Sequence, residues 1–149
     1  STPGHIPFDD SLFDLIINRH GDFEPKEIHR LLKKDGIFIT EQVGGDNDRD
    51  LVDMVLPNTP KPFTQLNLKV QKANFEKAGF QVIKAKEAFR PIQFYDIGAF
   101  VWFAHIIEWE FPNFSVDKCF ENLLKIQEEI EKNGKIEGTI HRYLIVAKK

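Results

Sequence analysis

Short, almost wholly apolar runs alternate along the chain with segments in which apolar residues recur every three or four positions. Such alternation predicts strands interleaved with helices. Leu15-Ile16-Ile17 closes on the polar group Asn18-Arg19-His20-Gly21, a short buried strand over Leu15 to Asn18. Pro25 suits a first helical turn, and Ile28, Leu31 and Leu32 supply the apolar face that follows. Lys33 and Lys34 favour the helix C-terminus, and Asp35-Gly36 predicts a turn. Ile37 to Thr40 is a second strand, apolar on both faces, as in a sheet covered on both sides.

Gly44 to Asp50 reads as a polar loop, Asp48 as the cap of a short helix through Leu56, and Pro57 to Pro62 as a connection. Leu66 to Ala78 predicts a helix with Gly79 just past its end, then a third strand over Phe80 to Ala85. From Phe89 the pattern is less regular, with an aromatic-rich helix from Ile97 to Ile107. Ser115 is placed to cap a clearer helix carrying Val116, Cys119, Phe120, Leu123, Ile126 and Ile130 at helical spacing. Gly134 ends it, and Tyr143 to Ala147 forms the last strand. The last two strands are thus parted by a helical insertion, residues 89–138, and are free to be antiparallel neighbours.

The 149 residues, 42% hydrophobic and 29% charged, fit one globular domain. A formal charge of -3 argues against binding nucleic acid by phosphate neutralisation. Cys119 is the sole cysteine, which excludes a disulfide within the chain and favours a reducing, cytoplasmic setting. The apolar run Ile97 to Phe111 is broken by His105, Glu108 and Glu110, so no membrane span is expected.

No glycine-rich phosphate loop is present, since Gly44-Gly45 and Gly134/Gly138 lack the spacing. Asp46, Asp48 and Asp50 alternate like a calcium loop but lack its glycine and its closing glutamate, and no metal site is expected. His20 follows the first strand at its carboxyl end, where open α/β sheets bind ligands, and is read as lining a site or as merely exposed. Glu41 and Gln42 end the second strand, and Glu41 is a weak candidate for a proton acceptor. His29 reads as a surface residue, His141 as a strand-start residue and Cys119 as a core thiol. Trp102 and Trp109 belong to an aromatic concentration that is either core or the apolar wall of a substrate site.

Pro7-Phe8-Asp9-Asp10-Ser11-Leu12-Phe13-Asp14-Leu15-Ile16 resembles the entry to the fourth strand of class I S-adenosylmethionine-dependent methyltransferases. Glu27 to Phe38 is similar to their next helix, glycine turn and fifth strand, with Lys34-Asp35-Gly36 where the family usually has Pro-Gly-Gly. Phe75-Glu76-Lys77-Ala78-Gly79-Phe80 resembles the entry to the sixth strand, and His141 to Ala147 the seventh. The matches run in family order over nearly the whole chain.

The resemblance implies the C-terminal half of a Rossmann-like methyltransferase fold, a mixed α/β sheet of about four strands with the helical insertion before the last. It implies a partial methyltransferase domain over residues 1–149, lacking the first three core strands, with residues 89–138 as an inserted helical cap. Ile6 and Pro7 would approach the adenine of S-adenosylmethionine, Asn18 and Arg19 would lie near its methionyl part through backbone atoms, and His20 would face either the cofactor or the acceptor. Glu41, Gln42, Trp102 and Trp109 would face a small-molecule acceptor. The acidic-glycine motif for methionine and the acidic residue for ribose are missing, so this piece is expected to be inactive alone and to bind no cofactor by itself. The alternative is a non-enzymatic partner-binding domain derived from the same fold. In both cases the first strand would be an exposed edge open to self-association.

Overall fold

The computed structural model describes residues 5–149. Its elements are β1 (Phe13–Arg19), α1 (Pro25–Leu31), β2 (Leu32–Val43), α2 (Arg49–Val55), α3 (Leu68–Lys77), β3 (Gln81–Phe94), α4 (Ile97–Ile106), α5 (Phe120–Asn133) and β4 (Ile136–Lys148). The four strands form one sheet in the order β1-β2-β4-β3. β1 and β2 are parallel, pairing Leu15 with Ile37 and Arg19 with Glu41. β4 runs antiparallel to β2, from Ile37 against Lys148 to Val43 against Arg142. In the strand numbering of the resemblance, β1, β2, β4 and β3 are the fourth, fifth, seventh and sixth strands, and the seventh runs antiparallel to the fifth.

The chain divides into two compact units. The first comprises the chain through Gly45, Gln65–Ala88 and Arg142–Lys149; the second comprises Asp46–Thr64 and Phe89–His141. In the first, Ile28, Leu32, Phe38, Phe75, Phe80, Tyr143, Ile145 and Ala147 close a core. Its aromatic rings meet edge-on, Phe23 against Phe38 at 5.0 Å and Phe75 against Phe80 at 5.5 Å. Phe38 and Thr40 are fully buried, whereas Ile37 and Ile39 on the opposite face are only half-buried. The second strand is therefore two-faced rather than uniformly enclosed. On β1 the same face leaves Leu15 and Ile17 exposed, at 51% and 68%.

The second unit packs Leu51, Val52 and Val55 of α2 with Phe94, Phe100, Phe111 and the Leu123, Ile126 and Ile130 stripe of α5. Cys119 is buried there as a free thiol. No helix among the described residues is long and apolar enough to cross a membrane.

Several boundaries differ from the sequence pattern for local reasons. α1 ends at Leu31, because Leu32 already pairs with Phe13 and the ladder then skips to Leu15 and Ile37. The expected Asp35-Gly36 turn is thus a bulge inside β2, with Asp35 at φ +66 and room at Gly36 for no side chain. α5 starts at Phe120, since Ser115 caps only a preceding turn by accepting the Lys118 N–H at 3.1 Å. Val116 and Phe120 consequently lie exposed, off the apolar stripe. Asp48 does precede α2, but at φ +59 and without a capping bond from its side chain. α3 is capped by Asn67, which accepts the Val70 N–H at 3.0 Å, and Gly79 takes φ +99 past its end as expected. His29, read as a surface residue, is half-buried: it packs edge-on against Phe80 at 5.1 Å, and burial holds its imidazole below the ordinary value.

β4 begins at Ile136, seven positions earlier than the apolar pattern indicates. Gly138 permits this start, because a Cβ there would lie 2.4 Å from Cγ of the fully buried Leu51. Gly138→Ala is expected to cost about 1–3 kcal/mol of stability through overpacking, read as a lower urea midpoint at unchanged slope.

Candidate functional site

The carboxyl ends of β1 and β2 lie side by side, and their last polar side chains knit together. Asn18 pairs with Thr40 in the parallel register. Asn18 Oδ1 accepts from Thr40 Oγ1 at 3.1 Å and from Gln42 Nε2 at 2.7 Å. Gln42 Nε2 also donates to the Gly21 carbonyl at 3.0 Å, which ties the loop after β1 to the end of β2. Gly21 approaches so closely that a Cβ would meet Asn18 Nδ2 at 3.1 Å. With the Asn18 oxygen engaged inside the network, its Nδ2 donor is what remains for a ligand.

His20 stands beside this network in the left-handed region, at φ +56. Its backbone N–H donates to the Glu41 carbonyl at 3.0 Å, while its ring is exposed. Arg19 and Glu41 face each other at 3.7 Å as an exposed pair. Asn18, Arg19, His20, Glu41 and Gln42 are therefore brought together as neighbours at one end of the sheet.

Ile6 and Pro7 are held elsewhere in the same unit, by α1. Ile6 donates its N–H to Glu27 Oε1 at 2.8 Å, and its carbonyl accepts from Arg30 Nη2 at 3.0 Å. Arg30 further binds the Phe8 carbonyl and the Asp10 carboxylate. The Glu27 carboxyl is held down at about 2, chiefly by the Arg30 guanidinium and then by the Ile6 N–H. This clamp fixes the segment leading into β1.

A cavity of about 620 Å³ opens beside the network, lined by Gly21, Phe23, Gln42, Gln65, Asn74 and Tyr143 among others. Burial pushes the Tyr143 phenol up to about 12, so it stays protonated at neutral pH. Of the residues singled out from the sequence, Gln42 alone lines this cavity. Thr40 was read only as a strand residue, yet its hydroxyl is part of the network. Its one sequence signal is a polar residue at the end of an apolar strand.

The second unit carries its own buried polar cluster. Asn47 Nδ2 donates to Asp48 Oδ2 at 3.0 Å and to Glu110 Oε1 at 2.9 Å, while Asn47 Oδ1 accepts the His141 N–H at 2.8 Å. His141 lies within β4 and is fully buried, not at a strand start. Its Nδ1 accepts the Asp46 N–H at 3.1 Å and its ring stacks on Phe89 at 4.3 Å. The Lys61 ammonium binds the Asp46 carboxylate and holds it below its ordinary value. Trp102 and Trp109 are both exposed in this unit, and Trp109 borders a cavity of about 230 Å³. Among the described residues, no group of three His, Cys, Asp or Glu side chains converges as a metal site.

No protein-family model matches the sequence, and no curated protein matches it significantly. Solved structures do match. One from Bacillus halodurans C-125, provisionally named a methyltransferase, aligns with TM-score 0.59 at 18% identity over 97% of this chain and 67% of its own. The YcgJ protein from Bacillus subtilis aligns with TM-score 0.50 at 20% identity, over the same shares. An S-adenosylmethionine-dependent methyltransferase from Archaeoglobus fulgidus gives 0.44 at 19%, over 95% of this chain and 61% of its own. The chain thus spans about three fifths to two thirds of the length of these structures. The first two likenesses and the sheet order define the fold: it is the class I methyltransferase fold, represented by its last four strands.

The Glu27 clamp has a direct pH consequence. A carboxyl whose folded value lies at about 2, against an ordinary 4.5, contributes stability that is complete above 4.5 and lost as pH falls toward 2. Thermal melts from pH 7 to pH 3 are expected to show a steeper acid decline for the native chain than for Glu27→Gln.

Proposed function

We propose that the intact protein transfers a methyl group from S-adenosylmethionine to a small-molecule acceptor, and that this chain supplies one side of the site but is inactive alone. The observation that carries the reading is the Asn18–Thr40–Gln42 network. It sits at the carboxyl ends of two parallel strands, the position where open α/β sheets take their ligands. The cofactor, when bound, supplies an electrophilic methyl on a sulfonium. The protein's share is then alignment and exclusion of water.

In this reading Asn18 and Arg19 lie near the methionyl part, His20 faces either the cofactor or the acceptor, Ile6 and Pro7 approach the adenine, and Glu41 and Gln42 face the acceptor. Trp102 and Trp109 are assigned to acceptor contact on their exposure in an aromatic region. His20 and Glu41 are the candidates for a base where the acceptor needs deprotonation. The buried free thiol of Cys119 fits a reducing, cytoplasmic location.

The alternative reading is a partner-binding domain on the same fold, and an exposed edge strand follows from either reading. β1 is an edge strand whose Leu15 and Ile17 are exposed. An open edge with an apolar face promotes pairing, and a second copy of this chain is the partner proposed. Sedimentation is expected to show concentration-dependent self-association that Ile17→Lys abolishes; a monomer at all concentrations overturns that association.

Calorimetry with S-adenosylhomocysteine separates the two readings. The full coding product is expected to bind it one-to-one and the 149-residue chain to bind none. No binding by the full product overturns the methyltransferase reading and leaves the partner-binding one.

A further inference from the structure

The cavity of about 620 Å³ in the first unit is bordered by a hydroxyl that the chain leaves unused. Tyr143 is 3% exposed and lines this cavity. Its phenol makes no hydrogen bond among the described residues, and burial alone pushes it up to about 12. Among those residues, side-chain polar atoms that are both closed off and unpartnered occur at Asp48, Arg49 and Glu110, not at Tyr143, so the phenol oxygen is open. An open O–H on a side chain that is otherwise enclosed faces the cavity which that side chain lines.

Gln42 is the register partner of Tyr143 across the β2–β4 ladder, so the two side chains leave the same sheet face with Cβ atoms roughly 5 Å apart. Gln42 lines the same cavity. Its Nε2 faces Asn18 Oδ1, Thr40 Oγ1 and the Gly21 carbonyl, and the carbonyl fixes which end of the amide is the nitrogen. Its Oε1 receives no donor among the described residues and is likewise open. A fixed acceptor therefore stands beside an unused donor. The charged residues of the lining, Asp22, Glu24, Lys26 and Lys77, are exposed and two of each sign, so they favour neither an anion nor a cation. Phe23 and Leu66 are half-buried and supply apolar wall. An uncharged ligand with an apolar body and a carbonyl next to an N–H matches that lining.

We propose that this cavity binds a neutral cyclic amide, its ring carbonyl accepting from the Tyr143 hydroxyl, its adjacent N–H donating to Gln42 Oε1 and its ring body packing against Phe23 and Leu66. Every residue of the site belongs to the first unit. That this ligand is the methyl acceptor rests on the reading above, in which Gln42 faces the acceptor. The binding itself does not, since it needs no cofactor.

The test titrates the 149-residue chain calorimetrically with carbostyril, a fused bicyclic lactam. N-methylcarbostyril keeps the carbonyl and loses the N–H, and sodium naphthoate is an anion of similar size. Saturable one-to-one binding of carbostyril is expected, with both controls about tenfold weaker or worse. Tyr143→Phe removes only an oxygen that bonds nothing in the described chain, and is expected to weaken carbostyril about tenfold at an unchanged or higher melting point. The comparison of probes on the native chain needs no variant and decides the matter even if Tyr143→Phe fails to fold. Absence of saturation, a control that binds as tightly as carbostyril, or unchanged affinity in folded Tyr143→Phe overturns the proposal. Failure of the full coding product to bind S-adenosylhomocysteine bears on the methyltransferase reading alone, and carbostyril binding then still supports the site.

Discussion

The antiparallel ladder between β2 and β4 is the constraint on which the first unit depends. Seven consecutive pairs, from Ile37–Lys148 to Val43–Arg142, place the C-terminal strand inside the sheet rather than at its rim. An interior strand must satisfy ladders on both sides and offer a side chain to each face. β4 does so with a strict alternation, His141, Tyr143, Ile145 and Ala147 being buried in turn. Because β4 is interior, β3 falls outside it and β1 is left as the far edge. The parallel β1–β2 pair then brings two carboxyl ends together, which is the arrangement that creates the polar network.

That network illustrates how a fold restricts chemistry without dictating it. Parallel register sets Asn18 against Thr40, and the two-residue period carries Gln42 to the same face. Three polar side chains and the Gly21 carbonyl then bond to one another. The exposed Arg19–Glu41 pair stands at the same end of the two strands, so the fold sets an oriented amide and a pair of charges side by side.

Features encoded locally were legible in the sequence. Pro25, Gly79 and Gly134 punctuate helices by backbone geometry alone, and the apolar runs of β1 and β2 announce strands without tertiary help. The extension of β3 beyond Ala85, through Lys86, Glu87 and Arg90, was not legible. Those residues are exposed and charged, and only strand pairing holds them extended. The early start of β4 was hidden likewise, because Glu137, Gly138 and Thr139 lack strand character until Leu51 and Asp50 are known to lie beside them. For the candidate site, the chain ends of the strands were visible as positions, but the partnership of Asn18 with Gln42 across 24 residues was not. Glu110 appeared only as a charge interrupting an apolar run. Its partner Asn47 lies 63 residues away.

Asn47 shows why that second cluster exists at all. One carboxamide has two donors and one oxygen, and here they serve Glu110, Asp48 and the His141 backbone at once. Two buried carboxylates drawing on the donors of a single neutral amide are not neutralised by it. An apolar replacement of Glu110 would relieve that burden, since buried charges are seldom the most stable solution. The protein instead keeps the charge and anchors it through Oε1 on the Asn47 amide, whose oxygen holds the His141 N–H, so one side chain ties the loop before α2 to Glu110 and to β4.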